Sequence, residues 1–169
     1  VGLDKAFRDL PGVELVALAD DNPKGLQEAG KRNRVDRLYS DYREMLEKED
    51  LDVVSVAMRY SEAHSDIVVD CANAGKHIYC EKPMAHNISE GKAMISAVRR
   101  HGRVFQTGSM QRSDSKFRHA CELVQNGYIG DIKHVAVNVG GPPIPCDLPA
   151  MPVPDYLDWS MWLGPAPRR

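Results

Sequence analysis

Between residues 12 and 107 the chain alternates short apolar runs with stretches whose apolar residues recur every three or four positions. The runs VELVALA at 13–19 and LDVVSVAM at 51–58, and the segments 77–80 and 104–107, are short and largely apolar. They predict strands of a buried sheet. Helices are predicted between them. Pro23 stands at a favoured first-turn position of a helix reaching about Asn33. Asp41 can cap a short helix running through Lys48, and Ser61 can cap a helix whose apolar face is Ile67, Val68, Cys71 and Ala74. Gly75 ends that helix as a left-handed cap. Asn87 with Glu90 resembles a capping box, and Gly102 closes the helix it starts. Strands alternating with helices predict a parallel sheet with helices on both faces.

The pattern changes after Gly108. A polar stretch leads to a helix with Phe117, Ala120, Cys121 and Val124 on one face, ended by Gly127. DIKHVAVNV at 131–139 alternates apolar with polar residues, which predicts a half-exposed, antiparallel strand. The remainder is proline-rich and loop-like, apart from the aromatic island DWSMWL at 158–163. We therefore expect one domain over 1–112 and the beginning of a second over 113–169, the latter with too few strands to close a sheet of its own.

With 43% hydrophobic and 27% charged residues the chain reads as an ordinary globular protein. A net charge of −2 with both signs interspersed argues against a nucleic-acid surface. No apolar run approaches the length of a membrane span. The chain opens without a signal peptide, which carries little weight because it starts inside a helical pattern at Val1. Cys71, Cys80, Cys121 and Cys146 form no CxxC pair, so each is expected to be a small buried hydrophobe rather than half of a disulfide or a zinc ligand. His77, His86, His101, His119 and His134 have no metal-ligand spacing, and no metal is expected. A reducing, cytoplasmic setting follows as the simplest expectation.

The candidate chemistry begins at Asp20, at the end of VELVALA. In a dinucleotide-binding βαβ unit a glycine-rich turn follows the first strand, and an acidic residue about 20 positions later ends the second strand and holds the adenosine ribose hydroxyls. Asp20 stands where that residue belongs, although it also suits a simple turn with Asp21, Asn22 and Pro23. Counting back from Asp20 runs off the start of the chain, and no G-x-G-x-x-G occurs in it. The expected fold is accordingly α/β: a partial Rossmann, doubly wound parallel sheet lacking its first strand, followed by the start of an α+β substrate domain.

The segment AGKHIYCEKPM at 74–84 resembles the AGKHVxxEKP segment of the glucose–fructose oxidoreductase / inositol dehydrogenase (Gfo/Idh/MocA) family. LPGVELVALADDNP at 10–23, NGYIGDIKHVAV at 126–137 and DWSMWLGPAP at 158–167 resemble further landmarks in the family's order, so the resemblance covers essentially the whole chain, truncated at both ends. It implies hydride transfer between a nicotinamide dinucleotide and a hydroxyl of a sugar, polyol or related carbohydrate. Lys82 is implied as the catalytic residue, contacting the nicotinamide ribose and the reacting hydroxyl. A lysine suits that task, because an ammonium stabilises a developing alkoxide and can relay its proton. Asp20, Asp21, Arg59, His64, Glu81, Lys82 and Gln111 are implied around the cofactor, and Lys82 and Arg112 toward the substrate. The family's usual Thr-Pro pair is replaced here by Met58-Arg59. Trp159 and Trp162 fit packing between domains, or stacking on a sugar.

Asp20 and Asp21 predict NAD rather than NADP, since both repel a 2′-phosphate. The resemblance also implies a homo-oligomer built through a C-terminal sheet, and an Asp/His acid–base pair beyond Arg169. The 169-residue chain alone is expected to be inactive. Two other readings stay open: a redox-neutral, NAD-using glycoside hydrolase or isomerase, and a non-catalytic dinucleotide-binding module.

Overall fold

The computed structural model describes residues 3–58, 62–142, 144, 148–163 and 166. They divide into two compact units, Val1–Gly108 and Ser109–Arg169.

In the first unit, helix α1 (Leu3–Arg8) precedes strand β1 (Leu18–Ala19), helix α2 (Pro23–Asn33), strand β2 (Leu38–Tyr39) and helix α3 (Tyr42–Lys48). Strand β3 (Val53–Val56), helix α4 (Glu62–Asn73), strand β4 (His77–Glu81), helix α5 (Ile88–Arg100) and strand β5 (Phe105–Gly108) follow. All pairing is parallel. β1 pairs with β2, and β3, β4 and β5 form a second sheet in that order. This is the predicted α/β class. Only Leu18 and Ala19 of the 13–19 run are strand, because only they lie beside a partner, Leu38 and Tyr39. β2 itself was not predicted: Leu38-Tyr39 is flanked by Arg37 and Ser40 and offers no apolar run.

Alternation within the strands places the core. Val54 and Val56 of β3 and Ile78 and Cys80 of β4 are buried against Ile67, Val68, Cys71 and Ala72 of α4 and Met94, Ala97 and Val98 of α5. Tyr79, adjacent to Cys80, must face the other way, and there the Phe7 ring of α1 meets it edge-on at 5.3 Å. Burial pushes the Cys71 thiol up to about 12 and the Cys80 thiol up to about 11, so both act as small apolar side chains. Cys121 departs from that expectation, since it is exposed and free on its helix, while Cys146 lies outside the described residues.

Caps fix the helix starts. The Asn22, Asp41 and Asn87 side chains accept from the backbone N–H groups of Gly25, Arg43 and Glu90. Glu90 completes a variant of the box, accepting from the Asn87 amide and from the His86 N–H. Gly75 at φ 75° ends α4 as predicted. The expected Ser61 cap lies outside the described residues.

The second unit holds a 3-10 turn (Met110–Arg112), helix α6 (Ser115–Gln125) and helix α7 (Trp159–Leu163). The strand expected over 131–139 is not formed. No described segment pairs with it, and Val135, Val137 and Val139 stand exposed. Alternation supplies a face, but a strand also needs a neighbour for its N–H and C=O groups. Trp159 and Trp162 stack on each other at 5.3 Å with planes 10° apart. Among the described residues no helix is long and apolar enough to cross a membrane.

Candidate active site

The C-terminal ends of parallel strands are where open α/β sheets bind ligands. At the ends of β1 and β2 a cavity of about 390 Å³ opens, lined by residues that include Asp20, Asp21, Ser40, Tyr42, Arg43 and Met58. Such a volume is in the range of small-ligand pockets. Asp20 is fixed by its own turn, with Oδ1 accepting from the Asn22 N–H at 2.8 Å. Among the described residues its Oδ2 has no hydrogen-bond partner.

The cavity is acidic. Asp20, Asp21, Asp41 and Asp66 line it, with Arg43 as the lining cation. That cation is engaged: its guanidinium lies 3.0 Å from the Asp70 carboxylate and stacks 4.6 Å over the Tyr42 ring. The Tyr42 hydroxyl donates to the same Asp70 carboxylate at 2.7 Å, and burial together with that hydrogen bond raises its pKa. α3 is thereby fastened to α4 along the rim of the cavity. Four carboxylates around one committed arginine fit a ribose with free hydroxyls and oppose a 2′-phosphate. Adenosine of an unphosphorylated dinucleotide therefore fits the residues present.

A second cluster lies at the end of β4. The Lys82 N–H donates to the carboxylate of Glu81, the preceding residue. Gly108, the register partner of Glu81 on β5, makes this possible, because a Cβ there would stand 2.6 Å from Glu81 Oε2 and 3.1 Å from Glu81 Cα. The chain then turns through a cis Lys82–Pro83 peptide, leaving Lys82 exposed. His64, near the start of α4, is 1% exposed and lies behind this turn, with its ring nitrogens on the carbonyls of Pro83 and Met58.

The predicted residues thus fall into groups. Asp20 and Asp21 line the cavity; Glu81, Lys82 and His64 gather at the end of β4; Met58 belongs to both surroundings. Gln111 and Arg112 sit exposed on the 3-10 turn of the second unit. Arg59 lies outside the described residues. Sequence reading missed Ser40, Tyr42, Arg43 and Asp66 as cavity residues, and Gly108 beneath Glu81. The SDYRE run gave a helix cap but no hint of a ligand wall.

A parallel sheet with chemistry-bearing residues at its C-terminal ends, an acidic residue after β1 and a cavity beside it define a dinucleotide-binding protein of the Rossmann class. The chain belongs to the Gfo/Idh/MocA oxidoreductase family, whose NAD-binding Rossmann-fold profile matches residues 3–109. It is 34% identical over 116 residues to a myo-inositol 2-dehydrogenase of Thermotoga maritima, covering 69% of this chain and 34% of that protein. It is 38% identical over 97 residues to a D-apiose dehydrogenase of Paraburkholderia graminis, covering 57% of this chain and 26% of that one. Among solved structures it is similar to the scyllo-inositol dehydrogenase of Lactobacillus casei with bound NAD(H) and scyllo-inositol. There the TM-score is 0.71 at 29% identity, over 76% of this chain and 38% of the other. The chain spans about a third of the length of these relatives.

Proposed function

We propose that the whole protein is an NAD-dependent dehydrogenase that oxidises a secondary hydroxyl of a polyol or sugar, with Lys82 as its catalytic residue. The observation that carries this reading is the Glu81–Lys82–Pro83 turn, held at the end of β4 in a chain whose β1 is followed by Asp20 beside an acidic cavity. The relatives' activities on inositol and apiose support the substrate class.

Bound NAD supplies the hydride acceptor. Asp20 accepts hydrogen bonds from the adenosine ribose. Lys82, as the neutral amine, accepts the substrate hydroxyl proton as the carbinol C–H bond breaks, and the ammonium so formed steadies the developing negative charge on the oxygen before releasing its proton to solvent. Glu81 orients the lysine through its backbone rather than touching the substrate. The second unit, which carries Gln111 and Arg112, begins a substrate domain. Free, buried Cys71 and Cys80 support a reducing, cytoplasmic setting.

The test is reduction of NAD and of NADP by the whole protein with a panel of inositols and aldoses. NADH formation with a kcat/KM ratio favouring NAD by about tenfold or more, the effect of one unfavourable charge contact, is the expected outcome. A preference for NADP would overturn the role of Asp20. Exchange of the substrate C–H hydrogen without net NADH would favour redox-neutral chemistry instead.

A further inference from the structure

His64 is a buried imidazole whose two nitrogens are both committed. Nδ1 lies 2.9 Å from the carbonyl oxygen of Pro83, and Nε2 lies 3.3 Å from that of Met58. Met58 follows β3 and lines the cavity, whereas Pro83 follows β4 and is the residue after Lys82. One ring therefore bridges the C-terminal ends of two neighbouring strands. Carbonyls only accept, and a neutral imidazole has one N–H to give. The shorter contact assigns that proton to Nδ1 and the Pro83 carbonyl. Neither nitrogen is left for a ligand, and at 1% exposure the ring offers no surface to one.

We propose that His64 is a positioning residue that sets the Lys82 turn through the Nδ1–H bond to Pro83, and does not itself contact cofactor or substrate. The adjacent peptide carries Lys82, so anchoring the Pro83 carbonyl limits where the lysine stem can start. The Nε2 side is a packing contact to the end of β3. The inference rests on the reading of Lys82 as the catalytic residue, and its structural part can be tested apart from that reading.

Asparagine and glutamine separate the two nitrogens. An Asn side-chain nitrogen falls close to the place of Nδ1, and that of Gln close to the place of Nε2. The whole protein is compared with His64→Leu, His64→Asn and His64→Gln by two measurements: single-turnover hydride transfer at saturating NAD, and amide hydrogen exchange over residues 81–86. His64→Leu is expected to slow hydride transfer by about tenfold to a hundredfold, the cost of misplacing a reacting group by about an ångström, with NAD affinity unchanged within about threefold. His64→Asn should rescue most of that loss and restore slow exchange at Lys82 and His86, while His64→Gln should not. Rescue by Gln instead of Asn, or wild-type rates and exchange in all three variants, would overturn the proposal. A wild type inactive on every polyol would sink the dehydrogenase reading alone, because the exchange pattern still decides what His64 holds.

Discussion

The carboxylate of Glu81 is placed by a residue with no side chain. Glu81 folds back onto the Lys82 N–H, and the space it occupies is the space a Cβ on Gly108 would take. Backbone lies close as well, with Glu81 Cα 3.1 Å from that Cβ position, so the neighbour cannot simply swing aside. Gly108→Ala is expected to destabilise the protein by about 1–3 kcal/mol, the usual cost of overpacking. In a Glu81→Ala background the same substitution should cost distinctly less, since the 2.6 Å collision with Oε2 is gone. Denaturant unfolding of the four proteins of this cycle measures both values, and equal costs in the two backgrounds would contradict the contact. The sequence reading reached Glu81 and Lys82 through their segment but not Gly108. A glycine ending a strand signals many things, and its partner on the next strand is visible only once the register is known.

At the scale of elements, α1 and α2 are joined by one well-placed carboxylate. Asp4 accepts from Arg32 and from the Asn33 amide, each at 2.6 Å. Burial works to raise its pKa, but the hydrogen bonds from Arg32 and Asn33 outweigh it and hold the carboxyl at about 2, against 3.8 for a free one. A depressed pKa stabilises the folded state above the unfolded value, and that contribution disappears as pH falls through the folded one. Asp4→Asn is therefore expected to lose about 2 kcal/mol at neutral pH, the scale of a charged hydrogen bond. The gap from wild type should shrink as pH drops from about 4 toward about 2. Unfolding titrations at several pH values check this, and a gap independent of pH would place the stabilisation elsewhere.

Element by element, what was legible depended on locality. The starts of α2, α3 and α5 could be read because Asn22-Pro23, Asp41 and Asn87 act within their own first turns. β3 and β4 were legible because both are buried on one face and rich in β-branched or aromatic residues. β2 was not, since two residues between polar neighbours carry no pattern. The 131–139 run failed the other way, with a clean alternation but no described partner. The cavity wall from Ser40 to Arg43 was hidden for a related reason: only the parallel pairing of β1 with β2 brings it beside Asp20.

At the scale of the molecule, Asp20 and the Lys82 turn lie at the ends of different sheets, β1–β2 and β3–β4–β5. Met58, whose carbonyl faces His64 and whose side of the loop lines the cavity, is the described residue common to both surroundings. The family was readable in the sequence because the EKP segment is specific in its context, and the profile over residues 3–109 now establishes it. The proposed dehydrogenase chemistry turns on the Lys82 side chain. Single-turnover hydride transfer from a polyol at saturating NAD, comparing the whole wild-type protein with Lys82→Ala, tests it most directly. Lys82→Ala is expected to be slower by about 10²–10⁴, the range for a lost acid–base group. NAD affinity should change far less, and Lys82→Arg should give no recovery, because a guanidinium cannot release its proton. Equal rates in wild type and Lys82→Ala would make Lys82 a solvated strand-end charge and contradict the mechanism.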